Sequence, residues 1–156
     1  MSIEDQIATL KKMRFLDNED YNIELIEDVL NEIAQNADNN SIIALCDIFH
    51  DDIDEPAIVG DLIETIFHIA ERNGLEEGLY ELTQAIAYMK PQAKNCLKRI
   101  FKSILNSEDL INPYISVLKK VVPSKKEEVM NILKEISIKQ PVQYLDKINF
   151  IFKQIN

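Results

Sequence analysis

"PAIVGDLIETIFHIAERNG", residues 56–74, decides the fold. At about 100° per residue, Val59, Leu62, Ile63, Ile66 and Ala70 fall on one stripe. Pro56 suits the first helical turn, where it has no intrahelical donor to lose. Gly74 supplies a left-handed stop. The stretch is therefore a bounded amphipathic helix, fourth in the chain, and the same period continues on both sides of it.

Upstream, Ser2 caps a first helix that turns Ile3, Ile7 and Leu10 inward. A second, from about Tyr21 to residue 35, carries Leu25, Ile26, Val29, Leu30 and Ile33. A third, near 40–49, uses Ile42, Ile43, Leu45, Cys46 and Phe49. Downstream, a fifth runs from Leu75 through Leu79, Leu82 and Ile86 until "MKP" breaks it. Pro91 then opens a sixth with Ala93, Leu97, Ile100, Phe101 and Ile104. "NSEDLINP" reads as a turn, or one short helical turn, that hands over to a seventh helix at Pro113, with Tyr114, Ile115, Leu118 and Val121 inward. "SKKE", residues 124–127, has the form of a capping box and opens an eighth with Val129, Ile132, Leu133 and Ile136. "QPVQ" opens a ninth with Val142, Leu145, Ile148, Phe152 and Ile155.

The fold class is thus all-α. Nine short helices start at intervals of about 17 residues, and short links force consecutive helices to run antiparallel. Pairs of about 35 residues fall near the range of helical repeats, although no sequence motif repeats. A HEAT-like stack of helical hairpins is expected, with an irregular bundle as the alternative. With no linker or low-complexity stretch, residues 1–156 read as a single domain.

No apolar run approaches the ~20 residues needed to span a bilayer. The opening "MSIEDQIATLKKMRF" has acids where a secretory leader needs bases. The expectation is a cytoplasmic protein with no membrane partner. Cys46 and Cys96 lie in apolar helical contexts without a CxxC pattern, which reads as two buried free thiols.

The net charge of −10 hides an asymmetry. Residues 1–81 hold 21 acids and 4 bases, whereas residues 82–156 hold 6 acids and 13 bases. An acidic half repels nucleic acid and anionic membrane and attracts basic proteins, over roughly a Debye length. Mutual neutralisation of the two halves is the plainer account.

Charge is densest in "FHDDIDEP", residues 49–56. As a calcium loop it fails, because Ala57 stands where an EF-hand needs glycine. As a catalytic pair it lacks environments that would drive two carboxyl pKa values apart. Asp54 or Glu55 would favour the positive end of the helix at Pro56. Asp51 and Asp52 gain nothing there and need another explanation.

His50 falls near the end of the third helix, where an imidazolium would suit the negative dipole end. His68 points away from the core of the fourth helix together with Asp61 and Glu64, and Glu71 lies on the flank of that face. Glu64 and His68 are four apart and can form a surface ion pair. The alternative is a polar recognition face. No HExxH motif supports a zinc site there, and a metal-dependent hydrolase using Glu64, His68 and Glu71 is the weakest reading. Lys94, Lys98 and Lys102, with Lys90 and Arg99, form a basic row on the sixth helix. Phe101 falls on the inward face and no glycine interleaves with the row, so pairing with acids of a neighbouring helix outranks nucleic-acid binding. Nothing in the chain resembles a nucleophile elbow or a phosphate-cradling loop, so neither an enzyme nor a cofactor is expected.

From Asp51 onward, "DDIDEPAIVGDLIETIFHIAERNGLEEGLYELTQAI" and "CLKRIFKSILNS" resemble a family of all-helical bacterial polymorphic-toxin immunity proteins, immunity protein 30. The likeness covers about residues 45–136. It includes an acidic turn, a histidine followed three residues later by glutamate (His68 and Glu71), and Leu105, Asn106 and Ser107 closing a later helix. Arg99 stands well upstream of the arginine position in that last motif. The resemblance implies a cytosolic antidote that binds the C-terminal domain of a cognate toxin and takes part in contact-dependent competition between bacteria. An acidic surface would suit the positive cleft of a nuclease. The expected toxin-binding residues are Asp51, Asp52 and Asp54 in the turn and Asp61, Glu64, His68 and Glu71 on the fourth helix, with no metal and no catalytic residue. A HEAT-like adaptor for several protein partners is the competing reading.

Overall fold

Side-chain caps and prolines set the helix starts. In a computed structural model, residues 1–15 and 22–156 are described. Ser2 Oγ accepts from the Asp5 N–H at 3.1 Å and starts α1 (Ile3–Met13). Asn22 does the same for α2 (Ile23–Asn36) through the Leu25 N–H. The expected start at Tyr21 lies outside the described residues. A single 3₁₀ turn at Asn39–Ser41 leads into α3 (Ile42–Cys46). This element ends sooner than the apolar pattern suggests, yet Ile48 and Phe49 remain buried in the turn that follows.

Glu55 caps α4 (Pro56–Asn73), its carboxylate accepting from the Ala57 N–H, and Pro56 opens the first turn as expected. Gly74, at φ 118°, ends α4 and leads directly into α5 (Leu75–Gln84). Asn39, itself buried, donates from Nδ2 to the Asn73 and Gly74 carbonyls and so pins this corner. Just beyond it α5 approaches α4 closely at Gly78. A Cβ there would lie 2.8 Å from both Ala70 Cα and Asn39 Oδ1, so only glycine fits without displacing backbone.

The fifth helix of the sequence reading divides at Ala85 into α5 and a short α6 (Ile86–Met89). Pro91 does not open the next helix, since α7 (Lys94–Leu105) begins three residues later. "NSEDLINP" is not a turn either: α8 (Glu108–Lys120) starts immediately after Ser107 and contains Pro113. Two acids in its first turn suit the dipole and Leu110 is buried. The proline forfeits only the bond to the carbonyl four residues back. The capping box at Ser124 does not form, because Pro123 takes the first position of α9 (Pro123–Lys139) and places Ser124 inside the helix.

In α10 (Pro141–Ile155) the buried set is Tyr144, Ile148, Ile151 and Ile155. Val142 and Leu145 are exposed rather than inward, and Phe152 is half-buried. Two apolar rows compete on this helix. The one through Tyr144 prevails because its ring is buried while its hydroxyl accepts from Asn106 Nδ2 at 3.2 Å. Leu25 is likewise exposed on α2. The fold is all-α, with ten helices among the described residues.

The chain comprises two compact units, Met1–Cys96 and Leu97–Asn156. In the first, α4 packs on α2 and α5, and α1 on α2. Its core is built from Ile33, Ile42, Leu45, Phe49, Leu62, Ile66, Ile69 and Leu79. In the second, α10 packs on α8 and α9 around Tyr114, Leu118, Val129, Leu133 and Ile148. Cys46 and Cys96 are both buried free thiols, and desolvation pushes the Cys46 thiol well up from its ordinary pKa.

Candidate functional site

The acids of the first unit divide into those with internal partners and those without. Asp51 belongs to the former. Its carboxylate accepts from the Asn95 and Cys96 N–H groups at 3.0–3.1 Å, the second and third residues of α7. Its own N–H donates to the Gln92 carbonyl at 2.9 Å. It is thus a helix cap supplied from 44 residues away in sequence. That contact explains an acid which the dipole of α4 leaves unexplained.

His50 is fixed alongside. Its Nδ1 accepts from the Asp52 N–H at 3.0 Å, its ring stands edge-on to Phe15, and its carbonyl accepts from the Cys96 thiol. Asp52 and Asp54 are exposed on this pinned turn. Asp47 pairs with Lys11 at 2.6 Å. Glu32 accepts from the buried amide of Gln6.

Asp61, Glu64 and His68 are exposed along α4 as expected, and they line a groove of about 530 Å³ between α4 and α2. Glu71 is also exposed but does not line it, and neither do the acids of the 51–54 turn. The facing wall is Glu27, Asn31 and Gln35, one row of α2 at four-residue spacing. Leu30, Ala34 and Thr65 complete the lining with small or apolar surface. The Thr65 hydroxyl is already satisfied by the Asp61 carbonyl at 2.8 Å.

Sequence periodicity did not single out Glu27, Asn31 or Gln35. Their polar i, i+4, i+8 row was the available signal, but only packing shows that it faces α4. The side chains of Glu27, Asp61, Glu64 and His68 make no hydrogen bond or ion pair with any described residue, so the Glu64–His68 pair allowed by spacing is not formed.

None of the four bases of residues 1–81 lines the groove. Arg72 is turned to the end of α2, where its guanidinium donates to the Ala34 and Ala37 carbonyls. Arg14 donates to the Asp47 and Ile48 carbonyls. Both use their charge where helix C-termini expose unsatisfied acceptors. The groove is left with three carboxylates and no cation. In the second unit, Lys98 of the basic row pairs with Glu135 of α9 at 3.2 Å, as the sequence reading favoured.

Among the described residues, no group of three or more His, Cys, Asp or Glu side chains is placed to hold a metal ion, and the cluster Glu64, His68 and Glu71 is not assembled as one. No described helix is long and apolar enough to cross a membrane. The described elements are all helical, and the groove between α2 and α4 carries three carboxylates, Glu27, Asp61 and Glu64, with no lysine or arginine in its lining. The model of the family named Immunity protein 30 matches residues 12–114, and the chain belongs to that family. The match starts further upstream and ends sooner than the span of the sequence resemblance, taking in α2 and the whole groove and leaving out α9 and α10. No curated protein and no solved structure matches the chain.

Proposed function

We propose that the chain is a stoichiometric inhibitor that works in the bacterial cytoplasm. It binds the basic C-terminal domain of a cognate toxin and blocks it without chemistry of its own. Membership of the immunity family supports the role. The observation that carries the mechanism is the set of unpaired acids in the α2–α4 groove, with Asp52 and Asp54 exposed on the 49–56 turn.

Carboxylates without internal partners keep their full field for an incoming cationic surface and accelerate encounter with it. A nuclease suits such an inhibitor, because its cleft is positive to hold phosphates, and an acidic protein seated there excludes substrate by charge and bulk. His68, ringed by acids, is the proposed central contact, where desolvation would concentrate the binding energy.

The test uses a toxin domain chosen by co-expressing candidate domains with this chain and finding which become harmless. Replacing Asp61 and Glu64 with lysine should slow association about tenfold or more at low salt, with the difference shrinking as salt rises. Circular dichroism should be unchanged, and co-expressed toxin should kill. Adding Asp52→Lys and Asp54→Lys should deepen the loss. Full protection and an unaltered association rate with all four reversed would remove the acidic face from the mechanism.

A further inference from the structure

The second unit carries a groove of a different kind. It lies between α8 and α10, holds about 400 Å³, and is floored by Ile111 and by Phe150, which is 47% exposed. Its rim is Glu108, Asn112, Asp146 and Lys147, and it carries both signs of charge. Glu108, Asp146 and Lys147 make no ion pair with any described residue.

A two-fold interface sets each patch against itself, so it must be self-complementary. The α2–α4 groove cannot meet that condition, since a second copy would bring three carboxylates against three carboxylates. The α8–α10 groove meets it. We propose that this groove is the contact face of a two-fold homodimer. The apolar floors of the two copies, Ile111 and Phe150, pack against each other, and Lys147 of each pairs with Glu108 or Asp146 of the other. An exposed aromatic within a mixed-charge rim matches the anatomy of protein interfaces, which have an aromatic-rich core and a polar border. The proposal is independent of the inhibitor reading and concerns a surface outside the family-matched residues 12–114 apart from those of α8.

Sedimentation of the full chain over a concentration series should show a reversible monomer–dimer equilibrium. Phe150→Ser should abolish the dimer. Because that change also removes apolar packing from α10, two charge variants carry the decisive test. Lys147→Glu alone makes the rim all-acidic, and Glu108→Lys with Asp146→Lys makes it all-basic. Each variant by itself should raise the concentration for half-dimerisation about tenfold or more, and an equimolar mixture should restore association as a heterodimer. A chain that stays monomeric throughout overturns the proposal. So do charge variants that dimerise like the parent, a mixture that fails to associate, and a monomeric chain whose Phe150 is instead buried by the toxin domain.

Discussion

In Met1–Cys96 side chains hold the ends of several helices, although α3, α5 and α6 start without such a cap. Ser2, Asn22 and Glu55 accept from the first turns of their own helices, Asp51 reaches α7 from a distant turn, and Arg14 and Arg72 close C-terminal carbonyls. In Leu97–Asn156, by contrast, α9 and α10 begin on prolines with no side-chain cap, and Ser107 makes no cap bond for α8. Its charges instead meet in pairs such as Lys98 with Glu135 and Lys125 with Glu128. The difference shows why a count of acids is a poor guide to a binding face. Several acids of the first unit serve as caps or internal partners, and the ones available to a partner are only those left over after helix ends and neighbours are satisfied.

Substitutions can break this comparison, beginning with the largest effect. Gly78→Ala should destabilise the first unit by about 1–3 kcal/mol, because the added methyl group meets Ala70 backbone that cannot swing away. A thermal melt should fall by several degrees, at about 2–4 °C per kcal/mol for a chain of this size. A melt equal to that of the parent would show that α4 and α5 are not held so close. Next, Asp51→Ala should cost about 1 kcal/mol as a lost cap, whereas Asp52→Ala should stay within about 0.5 kcal/mol as an ordinary surface change. Equal losses at the two positions would erase the distinction between an acid that caps a helix and an exposed one beside His50. In the second unit, Lys98→Ala should cost only a few tenths of a kcal/mol up to about 1 kcal/mol, the range of partly exposed ion pairs. Ser124→Ala should do least, within about 0.5 kcal/mol, and a loss near 1 kcal/mol in chemical denaturation would mean that the capping box forms after all.

Much of the helical order is legible in the sequence because burial on one face leaves a strong period. The seam of α4, its proline start and its glycine stop all follow from residues 56–74 alone. The misreadings occur where two local signals compete. Pro113 and Ser124 each look like helix starts, yet Ser107 with its two following acids and Pro123 precede them and win. In α10 two apolar rows are available, and the one chosen buries Tyr144, whose hydroxyl accepts from Gln143 and, across the fold, from Asn106 on the link between α7 and α8. The candidate site is half legible for the same reason. Asp61, Glu64 and His68 follow from angular position on one helix. Glu27, Asn31 and Gln35 become their neighbours only when α2 docks, and the role of Asp51 depends on a partner 44 residues away.

The carboxylates between α2 and α4 have no internal duties, so their replacement leaves caps, seams and corners untouched. Those positions can therefore be rewritten one at a time, each intermediate still folding. The scaffold and the side chains of this groove are separable, and natural variation can explore the second without risking the first.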